Sequence, residues 1–405
     1  MNQSSATPLD NDTAPRMFEF VALMAFAMSL GALTIDAMLP AFGEMRRDLM
    51  VRHANDMQLI VAGLLVGLAL GALFYGSLSD AIGRKKTMYV GFILFILGCL
   101  LSLLATNFHT MLAGRVIQGI GAAGPRVVVV AMVRDRVHGS AMARVMSFIM
   151  SIFILVPIIA PAMGQAILLF AGWRAIFGTL MALALLGLVW FAARQPETLP
   201  VERRLPLSLQ KIAGAFVLVG KNRQAMVYTL VIGCIYGAFF GYLNLCQQIF
   251  QVQYGLGRMF PLYFAMLALA VGMASLLNSS LVMRLGMHYL ARVSMLFLVG
   301  LSWMFLALSW FHAGQPPLVL LMLILAGLFF CIGLLFGNLN AIAMEFLGHN
   351  AGTGAAVVGS VSTFMAVGLA YLVGHAYDGT LSSLATGFVG LSTASLALTR
   401  LVPVK

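Results

Sequence analysis

The chain has 405 residues, 61% of them hydrophobic and 9% charged, with 24 Lys and Arg against 13 Asp and Glu and a formal net charge of +11. Soluble domains carry roughly a quarter of their residues as Asp, Glu, Lys or Arg, so the composition excludes a water-soluble globular protein and predicts one that crosses a bilayer many times. The positive excess sorts by loop, as set out below, and nucleic acid is not an expected partner.

A spanning helix needs about 20 mainly apolar residues. Twelve windows meet that need, at about 17–40, 57–79, 87–106, 110–133, 141–169, 173–194, 223–251, 259–283, 288–311, 316–344, 352–376 and 380–400. The runs are continuous rather than alternating, which favours helices over a barrel. The expected fold is therefore an all-α polytopic membrane protein. Residues 1–16 are polar and lack the basic start of a cleaved signal, so they are read as a retained cytoplasmic tail.

The first window closes on LTIDAMLP, where Asp36 is the only carboxylate placed deep in any span. A charge near mid-bilayer costs at least about 2.5 to 3.5 kcal/mol, so Asp36 is a functional candidate. GSLSDAIGRKK follows the second window at 76–86. In it Gly76 and Gly83 punctuate a tight turn, and Arg84 can reach back to Asp80. Arg134 and Asp135, at the inner end of the fourth window, would complete an acid–base–acid cluster. The start of the eleventh window, near Thr353, would offer its positive dipole end to Asp80.

The fourth window carries Arg115 and Arg126. Eleven residues are about 16 Å along a helix and leave the two about 20° apart in azimuth, so both are expected to face one cavity. The alternative for Arg126 is neutralisation by backbone carbonyls or by helix C-terminal ends. Arg115 has a depth similar to that of Asp36, so the two could meet. Either the pair is a permanent tie between the first and fourth helices, or its separation moves the carboxylate's proton affinity. Pro157, Pro161 and Gly164 in the fifth window predict a bending point.

The longest break, 195–222, is rich in Pro and charge at its start and amphipathic after Leu205, with Lys211 and Lys221 placed toward headgroups. It divides a bundle at 17–194 from one at 223–405. The seventh window is the most polar of the second half, with Tyr236, Asn244 and Gln247, which join Gln118 and Arg126 as substrate-binding candidates. Asn278, Asn338 and Asn340 are explained as well by helix–helix hydrogen bonds. Cys99, Cys234, Cys246 and Cys331 all fall in spans and the seven His are scattered, so neither a disulfide nor a metal site is expected.

With the N-terminus in the cytoplasm, only Arg46, Arg47, Arg52, Arg174 and Arg258 lie outside and Arg115 and Arg126 within the membrane; the other Lys and Arg are inside. The positive-inside rule thus places both termini in the cytoplasm. The halves also echo one another: GSLSDAIGRKK at 76–86 has a weak counterpart in SSLVMRLGMHY at 279–289, an offset of 203 that pairs Gly83 with Gly286. A duplicated six-helix unit follows, giving two pseudo-symmetric six-helix bundles, an arrangement that puts a solute site near the midplane.

At Gly76, Asp80, Gly83 and Arg84 the chain resembles the major facilitator superfamily, whose loop signature these residues match. AGRVIQGIGAAG, residues 113–124, is similar to the helix-four signature of its proton-coupled members. TIDAMLPAF and residues 133–165 resemble the branch of drug:proton antiporters that confers bicyclomycin and chloramphenicol resistance. The resemblance implies the major facilitator fold in a bacterial inner membrane and export of a small organic solute by proton antiport. It also implies Asp36 and Arg115 as proton-coupling residues and the 76–86 loop with Arg134 and Asp135 as the latch of the outward-facing state. Two positions depart from it. Gln165 stands where a second glycine is usual after Gly164, and Arg126 where a small or apolar residue is usual. Two arginines against one aspartate favour an anionic or zwitterionic solute.

An importer or proton symporter on the same fold is the alternative. An enzyme is not expected, since no nucleophile with a positioned base is visible, and a channel would need a pore filter. No Walker loop is present, so the proton gradient, with no cofactor, is the expected energy source. The chain is expected to act as a monomer.

Overall fold

A computed structural model of the protein describes residues 13–347 and 351–402. Residues 1–12 of the predicted tail, Lys405 and the side chains of Lys211 and Thr353 lie outside the described residues. Every predicted window forms a helix. The first half holds α1 (Thr13–Asp36), α2 (Phe42–Asp48), α3 (Gln58–Ile82), α4 (Arg84–Leu103), α5 (Phe108–Arg136), α6 (Gly139–Ala171) and α7 (Arg174–Arg194). A connecting segment carries α8 (Leu209–Lys221). The second half holds α9 (Arg223–Gln247), α10 (Phe260–Leu285), α11 (Met287–Phe311), α12 (Leu318–Glu345), α13 (Ala351–His375) and α14 (Ser382–Arg400). Eleven described helices are long and apolar enough to span on their own. The twelfth, α14, is 19 residues long and rich in Ser and Thr. It buries Ser392 and Ser395 against the bundle, where it packs on α9 and α11.

The first window is not one straight span. α1 stops at Asp36, a short 3-10 turn at Leu39–Ala41 follows with Pro40 near its start, and α2 continues. Proline has no N–H to give to the preceding turn and disfavours helix in the residue before it. The predicted boundary at residue 40 is thus corrected to Asp36, which sits on the last turn before the break.

Within the first half α5 is central, because its small residues let neighbours approach to backbone contact. A Cβ on Gly119 would collide with the Leu64 carbonyl of α3, and Gly98 of α4 lies against the Gln118 backbone. The α3–α4 and α10–α11 corners share one device. Gly83 has φ +98 and ψ 159, and Gly286 has φ +79 and ψ 152, a region that favours glycine. The two glycines are those paired by the 203-residue offset.

Helix parity gives the bundle two faces: a linker face, where α1 starts and α8 lies, and a far face. The halves meet along α3–α13 and α6–α10. Their joining bonds run from the far face to mid-depth. Asn55 Nδ2 donates to His375 O (3.2 Å) and Tyr377 O (3.0 Å), Gln248 Nε2 to Ala54 O (3.3 Å), Asn244 Nδ2 to Gln58 Oε1 (3.4 Å) and Ser360 Oγ to Ala69 O (2.8 Å). Among the described residues no hydrogen bond or ion pair directly joins the two halves at the linker face.

Candidate functional site

Arg115 is fully buried, and every donor it uses goes to a neutral acceptor. Nε donates to Ile60 O (3.2 Å), Nη1 to Thr34 Oγ1 (3.1 Å) and Gln118 Oε1 (2.6 Å), and Nη2 to Thr34 O (3.0 Å). Its guanidinium also lies 5.8 Å from the Phe177 ring centroid. Thr34 is in the last turn of α1, whose carbonyls have no helical partner and carry the negative end of the dipole, so a cation there is stabilised. Neutralisation by backbone carbonyls, considered for Arg126, is what Arg115 receives.

The expected meeting of Asp36 and Arg115 does not occur. The depth argument holds, but residues two apart on a helix point to opposite sides. Thr34 faces α5, so Asp36 faces away from it. The Asp36 carboxyl is instead within electrostatic reach of Tyr242 and Cys246 on α9, in the other half. It is 5% exposed and has no hydrogen-bond or ion-pair partner among the described residues. The Tyr242 ring is held by T-shaped contacts to Phe250 and Phe329, and its hydroxyl is buried and likewise without a partner among the described residues.

Two further expectations in α5 are corrected. Gln118, taken as a substrate contact, is fully buried in the Arg115 network and donates to Cys99 Sγ (3.0 Å). The close approach that Gly98 allows removes it from any cavity wall. Arg115 and Arg126 do not line one cavity either, since Arg115 is enclosed by α1 and α3 while Arg126, nearer the linker face, is exposed with no partner among the described residues.

The second cluster lies at the linker face. Arg84, only 3% exposed, bonds Asp80 (2.5 Å), Asp135 (3.0 Å) and Ser79 Oγ (2.9 Å). Acid, base and acid come together as the spacing predicts. Arg134 is exposed and makes no bond among the described residues, and a Cβ on Gly76 would meet nothing within 4 Å.

Glu197 is a residue that sequence reasoning missed. Its carboxylate accepts from the backbone N–H of Arg84 (2.9 Å) and Lys85 (3.1 Å) at the start of α4, and of Thr198 (2.9 Å) and Leu199 (3.0 Å). Thr198 Oγ1 donates to Asp135 (3.2 Å), and Leu205 N donates to Asp80 O (3.0 Å). The connecting segment is thereby strapped across the loop. The signal was available: Gly83 has no side chain to cap α4, so the orphan N–H groups needed an acid from elsewhere. A Cβ on Gly83 would strike the Glu197 carboxylate. Glu197→Ala is expected to lower stability by about 1 to 2 kcal/mol, as loss of a helix cap does, and Glu197→Gln by less; thermal melting of the purified protein measures both.

α6 runs uninterrupted through Pro157 and Pro161 for its 33 residues. Gly164 packs against the Ala37 carbonyl, directly beside Asp36, where any Cβ would clash. In the second half the half-buried Tyr236 accepts from Asn340 Nδ2 (3.0 Å) and its ring meets Phe336 edge-on at 4.9 Å. Asn338 donates to Asn278 Oδ1 (2.7 Å), which makes that pair a helix–helix tie. Asn244 and Gln247 are buried at the seam, Asn244 against Gln58 and Gln247 donating to Gln251 Oε1 (2.9 Å). Among the described residues no cluster of His, Cys, Asp or Glu could hold a metal.

Two six-helix bundles joined along one seam, with a buried acid on that seam, define a polytopic membrane transporter. The model of the Major Facilitator Superfamily matches residues 19–371, and the chain belongs to that family. It is 32% identical to an uncharacterized MFS-type transporter, YdgK, of Bacillus subtilis, over 90% of this chain and 91% of that one. It is 30% identical to a bicyclomycin resistance protein homolog of Haemophilus influenzae, over 89% and 87%. A crystal structure of a D-xylose-proton symporter superposes with a TM-score of 0.78 at 14% identity, covering 96% of this chain and 98% of that one; that likeness concerns the fold alone.

Proposed function

We propose that the protein exports a small organic solute across the bacterial inner membrane in exchange for protons, by alternating access. The observation that carries this reading is Asp36: a carboxyl buried at the junction of the halves, with no cation beside it among the described residues. Such a group can exchange a proton when the halves part, because its surroundings change while its covalent tethers do not. The bicyclomycin-resistance name of one relative favours a drug-like solute leaving the cell. With the linker face assigned to the cytoplasm by the distribution of Lys and Arg, the joining bonds of the described residues, which lie at the far face and mid-depth, favour a state that opens toward the cytoplasm. In that state the loop around Arg84 is held by Glu197 and the connecting segment within the first half. The latch to α13 belongs to the opposite state.

The deciding experiment measures proton release from the purified protein across a panel of solutes. A solute that displaces protons from the wild type and not from Asp36→Asn identifies substrate and site together. Uptake into everted vesicles under an imposed gradient gives the direction, and proton-driven movement into the cell would replace export by symport. A separate expectation concerns Arg126, an exposed arginine of α5 nearer the linker face. Arg126→Ser should weaken binding of an anionic solute by about 1.5 to 3 kcal/mol, the value of a charge-assisted hydrogen bond, and improve binding of a cationic one. Equal weakening of both would mark Arg126 as structural.

A further inference from the structure

A cleft of about 460 Å³ opens between the halves at the far face, away from the midplane. The first half supplies Glu44 of α2 with Gln165 and Leu168 of α6. The second half supplies Gln247 at the end of α9 with Val252 and Arg258 just beyond. The acid and the base therefore stand on opposite walls, and neither forms an ion pair among the described residues.

Two local features aim polar groups into the cleft. Gly164 lets α6 touch the Ala37 carbonyl, and the next residue, Gln165 where a second glycine is usual, lines the cleft. On the facing wall α9 ends in a π turn, Gln248–Gln253. Such turns bulge the chain and recur at functional sites; this one brings Gln251 under Gln247, whose Nε2 it accepts at 2.9 Å. The Gln247 side-chain amide oxygen, Oε1, has no donor among the described residues.

We propose that this cleft is a second solute site, built for a zwitterion. A solute ammonium pairs with Glu44, its carboxylate with the Arg258 guanidinium, and an apolar body lies along Leu168 and Val252, with Gln165 and Gln247 for any amide or hydroxyl. Opposite charges on two walls match a dipolar ligand and penalise one with a single charge, which leaves one wall unpaired. Because each wall belongs to a different half, a bound zwitterion ties the halves together at the far face. It favours the far-closed state by the difference in its affinity for the two states. External zwitterion then slows turnover; that consequence alone rests on the transport reading.

The probes are phenylalanine, its cationic amide and 3-phenylpropionate, three charge forms of one body, titrated calorimetrically into the full-length protein in detergent. Phenylalanine is expected to bind at least about tenfold tighter than either analogue, the effect of one charge-assisted contact. Glu44→Gln should remove its advantage over 3-phenylpropionate, and Arg258→Gln its advantage over the amide. Three equal affinities, a preference that survives both substitutions, or no phenylalanine binding at millimolar concentration would each overturn the proposal. Charge-selective binding in a protein that moves no solute under a proton gradient would leave this site standing and count against the transport mechanism. Gradient-driven transport without the charge pattern would do the reverse.

Discussion

Asp36→Asn is expected to fold, to keep solute exchange that needs no gradient, and to lose proton-driven transport to background. The substitution preserves shape and removes the titrating group. Among the described residues Asp36 has no ion-pair partner to leave stranded, so the heavy penalty of breaking a buried pair does not arise. What disappears is the coupling, because the neutral amide cannot cycle between charged and neutral forms as α1 and α9 part. Transport by reconstituted protein under an imposed pH gradient, set beside counterflow without one, separates the two activities. Full gradient-driven transport by this variant would remove Asp36 from the mechanism.

Arg115→Met is expected to act on the fold itself. It leaves Thr34 O at the end of α1 and the Gln118 amide oxygen without their donor, each a buried loss of about 1 to 3 kcal/mol. Removing a buried charge offsets part of that, so a net destabilisation of about 2 kcal/mol or more is expected. Thermal melting reads it directly. The Asp36→Asn, Arg115→Met double variant tests whether the two form a unit. They share no partner, so their effects on stability should add within about 0.5 kcal/mol; a coupling well above that would mean that they pair.

The acid cluster at the linker face was legible because its parts are close in sequence and chemically complementary. Asp80 in the last turn of α3 and Arg84 at the start of α4 are four residues apart across the Gly83 corner, and only Asp135 had to come from a distant part of the chain. For Glu197 only the need was legible: Gly83 cannot cap α4, but nothing in the chain between says that an acid more than a hundred residues away supplies the acceptor. Gln118 was misjudged, and so was the shared cavity of Arg115 and Arg126. Helix azimuth places a side chain but does not say what stands opposite, and Gly98, approaching within backbone contact of Gln118, closes the space that a solute contact there would need.

The sequence by itself determined that this chain is a membrane protein of twelve helices in two related halves, because lipid admits only long apolar helices that satisfy their own backbone and because the sorting of Lys and Arg records topology. It also singled out the residues most costly to place in lipid, above all Asp36 and Arg115. Tertiary structure alone decided what those residues face. The side to which a helical residue turns is fixed by which neighbours its helix meets, and those are chosen by small residues far away in sequence. Gly31 and Ala122 bring α1 and α5 together with Thr34 between them. That contact gives Arg115 its carbonyls and turns Asp36 toward the other half.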